Sequence, residues 1–157
     1  MIRSSEIPKP SMILSNVPSD AGRARGLWAI GFWKPTEEQT MAVRSMNDFL
    51  LWLGKRVLDE TSDLPSPQDF VDPSWDPAER AVVIAYLRKG RVLTRYMGYS
   101  TCRFKCGIDD AQMGDADLTD GTFVWPEGFS HYLEKHNVRP GQNFVDHVRR
   151  VTTGAEP

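Results

Sequence analysis

The sequence has no apolar stretch near the roughly 20 residues that span a bilayer; its longest apolar runs are residues 49–53 and 81–87. A soluble protein is expected. No continuous apolar region of a secretory signal is present, Met12-Ile13-Leu14 being the nearest approach, so the expected compartment is the cytoplasm. Neither sign of charge is in excess: 19 Lys+Arg against 21 Asp+Glu give a formal net charge of -2, with a sequence pI near 5.9. That balance lacks the basic footprint of sequence-independent nucleic-acid binding, and no membrane contact is expected. Only two cysteines occur, four positions apart, too few and too close to staple a chain of 157 residues. In a reducing compartment such a pair points to metal or redox chemistry. Also missing are G-x-S-x-G, Walker, H-E-x-x-H and G-x-G-x-x-G motifs, internal repeats and low-complexity tracts, so no reaction class is written in the chain.

With 40% hydrophobic residues the chain can bury one core, and a single domain over residues 27–151 is expected. Residues 1–26, rich in proline, serine, glycine and arginine, carry no apolar period and read as an extended arm; residues 152–157 read as a frayed tail. Residues 27–33 suit a buried strand whose two tryptophans serve the core. Thr36 with Gln39 forms a capping box, and the helix it opens is expected to run to about Asp59. Val43, Met46, Leu50, Leu53 and Val57 recur along it at spacings of three and four, widened by Phe49 and Trp52, making a stripe for the core or for a partner. Prolines keep residues 64–77 irregular, with Phe70, Val71 and Trp75 pinning the loop.

Asp76, Pro77 and Glu79 start a second helix that ends by Gly90 and is apolar nearly all round, hence buried on several sides. Residues 91–97 read as a strand. A final short helix spans about 143–151, with Phe144, Val148 and Val151 on one face. The fold class is α+β, with a long N-terminal amphipathic helix, a buried second helix and a small antiparallel sheet.

The chemistry concentrates in residues 98–137. Cys102-Arg103-Phe104-Lys105-Cys106-Gly107 has the C-x3-C spacing of a zinc knuckle, with a glycine that lets the backbone turn closely. Asp120-Gly121 between two strand-like runs reads as a type I′ hairpin turn. Pro126 and Glu127 then open a helix that carries His131 and His136 and stops at Asn137. Knuckle, hairpin and ligand-bearing helix in that order resemble a treble-clef arrangement, with Cys102, Cys106, His131 and His136 as the ligands of a zinc ion. Two features strain the assignment. Positions five apart on a helix diverge by roughly 140°, and the 24 residues between Cys106 and His131 exceed the spacing of a C2H2 finger.

Competing readings take the cysteines as ordinary buried thiols with His136 capping a helix end, or as a redox pair activated by Arg103 and Lys105. His147 reads as a surface or cap residue that can substitute for another histidine ligand. Glu127, His131 and Tyr132 beside a metal with an open position would make a small hydrolase. Calcium is excluded, because an EF-hand loop begun at Asp115 would place Thr119, Asp120 and Pro126 where acidic or amide, glycine and glutamate residues are required.

Leu118-Thr119-Asp120-Gly121, then Val124-Trp125-Pro126-Glu127-Gly128-Phe129-Ser130-His131-Tyr132, then His136-Asn137-Val138-Arg139, resembles a signature of small uncharacterised bacterial proteins. The likeness covers roughly the C-terminal half, from about Asp69, and implies a shared fold without a substrate. The expected function is a zinc-stabilised accessory module that binds a protein partner, with the hydrolase as alternative.

Overall fold

The structure, a computed structural model, describes residues 25–54 and 64–154. The expected arm lies outside them except for Arg25 and Gly26, as do residues 55–63 and 155–157. A four-stranded sheet holds strands Trp28–Ala29 (β1), Arg91–Arg95 (β2), Ala116–Thr119 (β3) and Phe123–Pro126 (β4) in the order β1-β4-β3-β2. Helices are Glu37–Trp52 (α1), Pro77–Leu87 (α2), Asp110–Met113 (α3), Phe129–His136 (α4) and Gln142–Thr153 (α5). The α+β expectation holds, with one correction: the sheet is mixed. β2, β3 and β4 are antiparallel, but β1 runs parallel to β4. Only two residues of the 27–33 run pair, because beyond Ile30 the chain turns at Gly31. Trp33 serves the core while Trp28 is 54% exposed, so one of the two tryptophans departs from expectation.

Alternation explains the core. Phe123 and Trp125 on β4, with Leu118 on β3, share one sheet face and meet Leu87 of α2, Phe129 and Leu133 of α4 and Phe144 and Val148 of α5 in one apolar cluster. Trp125 donates its indole N–H to the Leu87 carbonyl at 3.2 Å, so a large buried ring leaves no polar atom unpaired. The second helix buries one face only, through Val83, Ile84 and Leu87, while Val82 lies open; an apolar composition all round did not bury it all round. On α5 the buried face is Phe144, Val145 and Val148, and Val151, expected on that face, is exposed. Val71 is likewise exposed, although it bridges Val138, while Trp75 is buried and Phe70 partly so.

The capping box of α1 is present as read: Gln39 N donates to Thr36 Oγ1 at 3.2 Å, and Gln39 Oε1 accepts from Thr36 N at 3.0 Å. The helix closes at Trp52, short of the expected end near Asp59, which lies outside the described residues together with Val57. Met46, Phe49 and Leu53 of its stripe are exposed, so this is not a core stripe among the described residues.

Gly31 fixes how β1 meets α4. Its φ of +74 is left-handed, and an added Cβ would lie 2.5 Å from the ring of Phe129, which is fully buried. Gly31→Ala therefore combines overpacking with a left-handed alanine and should cost about 2 to 3 kcal/mol in urea unfolding. Gly26→Ala, at φ +66 with nothing within 4 Å, should cost about 1 kcal/mol. Equal losses for the two would remove the packing argument.

Candidate metal centre

The knuckle is built by two left-handed residues around Cys106. Lys105 N donates to the Cys102 carbonyl at 3.0 Å, Lys105 has φ 50, and Gly107 has φ 82. The turn lays the amides of Phe104 and Cys106 toward the Cys102 sulfur. Burial pushes the Cys102 thiol up, and those amides oppose it. Cys102 is buried and Cys106 exposed.

Opposite the knuckle stands α4. His131 lies in its first turn, 8% exposed, and His136 is its last residue. Asn137 caps the helix in a left-handed conformation, φ 54, and its side chain accepts from Arg80 of α2. The five-residue spacing is accommodated at this end. The amide of Asn137 reaches the Tyr132 carbonyl five residues back, and the amide of Val138 reaches the same oxygen at 3.2 Å. A closure this wide turns the chain less per residue than a regular helix, bringing His136 round toward His131. Phe104, between the two cysteines, stacks on the His136 ring at 4.1 Å and 5° and fixes its direction.

The four side chains converge. Cys102 Sγ is 3.4 Å from His136 Nε2, Cys106 Sγ is 3.4 Å from His131 Nε2, and the two Nε2 atoms are 3.2 Å apart. All four atoms lie within 4.8 Å of one another, a group that could hold a metal ion. Hydrogen bonding among themselves satisfies them poorly. Each Nε2 offers either one proton or one lone pair, yet each faces a sulfur and the other nitrogen. A shared cation uses every lone pair at once. The imidazoles are suited to that role: burial, then the neighbouring His136 and Lys135, hold His131 below the ordinary histidine value against Glu134, and burial lowers His136. Neutral rings are the ligand form.

Glu127, the base of the hydrolase alternative, stands outside the group. It is exposed, and its Oε2 accepts from the Asp115 amide at 3.3 Å. A cavity of about 300 Å³ opens beside the knuckle between Trp33, Tyr96 and Arg103, and neither Glu127 nor any of the four converging residues lines it. Tyr132 is used by the knuckle instead: its hydroxyl accepts from the Arg103 amide at 2.9 Å, and burial pushes its pKa up to about 12.

His147 joins none of this. Its Nε2 donates to Asp120 Oδ2 at 2.8 Å, and Tyr86 OH donates to the same oxygen at 2.7 Å. The hairpin is also not the expected type I′ turn. Thr119 pairs with Val124 and Asp120 has no positive φ; its Oδ1 instead accepts from the Thr122 and Phe123 amides at 2.8 and 2.7 Å. Sequence reasoning missed Asp120 as a hub, the one available signal being the Asp-Gly pair that favours such side-chain turns. Asp109 similarly caps the single turn of α3 by accepting from the Ala111 amide at 2.8 Å, which accounts for part of the acidic segment.

No helix among the described residues is long and apolar enough to cross a membrane. Comparison of the chain with protein-family models, with curated proteins and with solved structures finds no match.

Proposed function

We propose that this chain is a zinc-stabilised module whose metal has a structural role and whose activity is the binding of a protein partner through α1. The observation that carries the zinc assignment is the set of edges between the four ligand atoms. A tetrahedral zinc ion with sulfurs at about 2.3 Å and nitrogens at about 2.05 Å sets S···N edges of about 3.6 Å and an N···N edge of about 3.3 Å. The corresponding separations are 3.4, 3.4 and 3.2 Å. Four protein ligands fill the tetrahedron and leave no position for water, which is the structural class of site. Two thiolates with two imidazoles also favour zinc over calcium or magnesium, which take oxygen.

Support for the partner comes from α1 and its C-cap Leu53, where Met41, Met46, Phe49, Leu51, Trp52 and Leu53 are all exposed and Trp52 reaches 79%. An amphipathic helix of this kind suits an apolar groove on another protein.

Elemental analysis of reduced, untagged protein is expected to return about one equivalent of zinc. Less than about a tenth of an equivalent of any transition metal would defeat the metal assignment. For the partner, a photoreactive residue replacing Trp52 is expected to cross-link one discrete protein in the native host, and Phe49→Asp to abolish the adduct. Cross-links confined to the chain itself would overturn the partner reading.

A further inference from the structure

The two sulfurs of the cluster are not equivalent. Cys106 is exposed, on a turn between left-handed Lys105 and Gly107, while Cys102 is 7% exposed beneath it. Their Sγ atoms lie within 4.8 Å of each other. The knuckle is also tied to α1. Arg103 Nε donates to the Lys34 carbonyl at 3.0 Å, and its Nη1 donates to the Thr101 carbonyl and hydroxyl at 2.6 and 3.0 Å. The Thr101 hydroxyl accepts in turn from Gln39 Nε2 at 3.2 Å, and Gln39 is the residue that closes the capping box of α1. A chain of direct contacts therefore leads from the cysteines to the start of the helix assigned to partner binding.

We propose that Cys106 is an oxidation site for hydroperoxides, resolved by Cys102 into a disulfide, and that this modification empties the metal centre and releases the start of α1. The inference rests on the zinc reading above for its effect on the metal, and on the arrangement of the thiols alone for its chemistry. Peroxide delivers one oxygen to the Cys106 sulfur as its O–O bond breaks and water leaves after protonation, giving a sulfenic acid. The Cys102 sulfur then attacks that sulfur, the S–O bond breaks, and hydroxide leaves and is protonated. In sum, two thiolates, one hydrogen peroxide and two protons give one disulfide and two waters, with two electrons passing from sulfur to peroxide. A disulfide carries no anionic sulfur for a divalent cation, leaving only the two imidazoles as ligands. The knuckle then keeps only the Phe104 stack on His136 and the Tyr132 hydroxyl bonds to Arg103 and Thr101, and the Arg103 and Thr101 contacts to Lys34 and Gln39 lose the support of the metal.

The test uses the full chain, its zinc content measured first, treated with graded hydrogen peroxide. Expected results are one zinc released per disulfide, an intact mass lower by two hydrogens, a Cys102–Cys106 peptide in the map, and faster amide exchange across residues 34–40. In Cys102→Ser protein, oxidation should stop at a sulfenic acid on Cys106 that dimedone traps. Because serine variants can fail to fold, a brief iodoacetamide pulse on the wild-type protein supplies a second measure, with Cys106 labelled at least about tenfold faster than Cys102. Retention of zinc with both thiols reduced, or first oxidation at Cys102, would overturn the proposal. Protein that carries no metal before treatment refutes the zinc reading, and the oxidation map still decides which sulfur reacts first.

Discussion

Removing the metal with a strong chelator, or replacing His131 by alanine, should abolish ordered structure across residues 97–109 and lower the thermal midpoint of the whole chain by well over about 10 °C. The magnitude follows from what else holds that segment. Ordering about 13 residues costs roughly 13 to 26 kcal/mol in backbone entropy. Against this stands little burial: Cys102 is the one buried side chain in the segment, with Phe104 and Ile108 partly buried against the core. Its backbone hydrogen bonds, such as Ser100 N to Gly114 O at 3.0 Å and Arg103 N to Tyr132 OH at 2.9 Å, contribute about 1 kcal/mol each net. Structural zinc supplies an apparent 10 to 16 kcal/mol in finger peptides, which is the size of term the segment lacks. The sheet and its helices bury their own core, so loss of metal should leave far-ultraviolet helicity largely in place while the aromatic signal of Tyr132 and Trp33 weakens. Amide exchange by mass spectrometry across residues 97–109, with and without chelator, checks the local effect. An unchanged melting curve after metal removal would mean that the cluster stabilises nothing.

The cluster was legible because cysteine and histidine carry their chemistry in the side chain, so residue type and order picked out the four side chains that converge. The starts of α1 and α2 were legible for a related reason, since the Thr36–Gln39 capping box and the Asp76 cap on the Glu79 amide act within one turn, whereas Pro126, read as a helix start, ends β4 and α4 begins at Phe129. What escaped depends on contacts distant in sequence. The parallel pairing of β1 with β4 joins Trp28 to Phe123, and no local pattern encodes it. An apolar period reports that a face favours cover without saying what covers it, which is why the α1 stripe, Val82 and Val151 could not be placed correctly. The H-x4-H spacing is unfavourable on a regular helix and requires one that ends near His136; the helix does end there, and the wide closure on the Tyr132 carbonyl is a property of that end.

Asp120→Ala should destabilise the protein by about 3 to 5 kcal/mol, although Asp120 lies outside the Cys/His cluster. One carboxylate accepts four hydrogen bonds, from the Thr122 and Phe123 amides, Tyr86 OH and His147 Nε2, and so joins the hairpin to α2 and α5. Truncation leaves two amides without an acceptor and Tyr86 with only His147, 3.3 Å away. Asp120→Asn retains the Oδ1 acceptor for the amides and should cost about 1 to 2 kcal/mol. The pH dependence has a definite sign. Burial alone would raise the Asp120 pKa, but the Phe123 amide, Tyr86, the Thr122 amide and His147 together hold it below the ordinary carboxylate value. Its folded form therefore binds its proton later than the unfolded chain does, so the stabilisation is complete above the unfolded value near about 4 and is lost as pH falls through the folded value. Urea unfolding of wild type against Asp120→Asn should show a difference that shrinks as pH falls below about 4. Both chains carry the same four cysteine and histidine side chains, so any acid loss of metal from them cancels in the comparison. A difference that grew as pH fell below about 4 would refute the assigned hydrogen-bond polarity, and an alanine variant within about 0.5 kcal/mol of wild type would remove Asp120 as the hub of the hairpin.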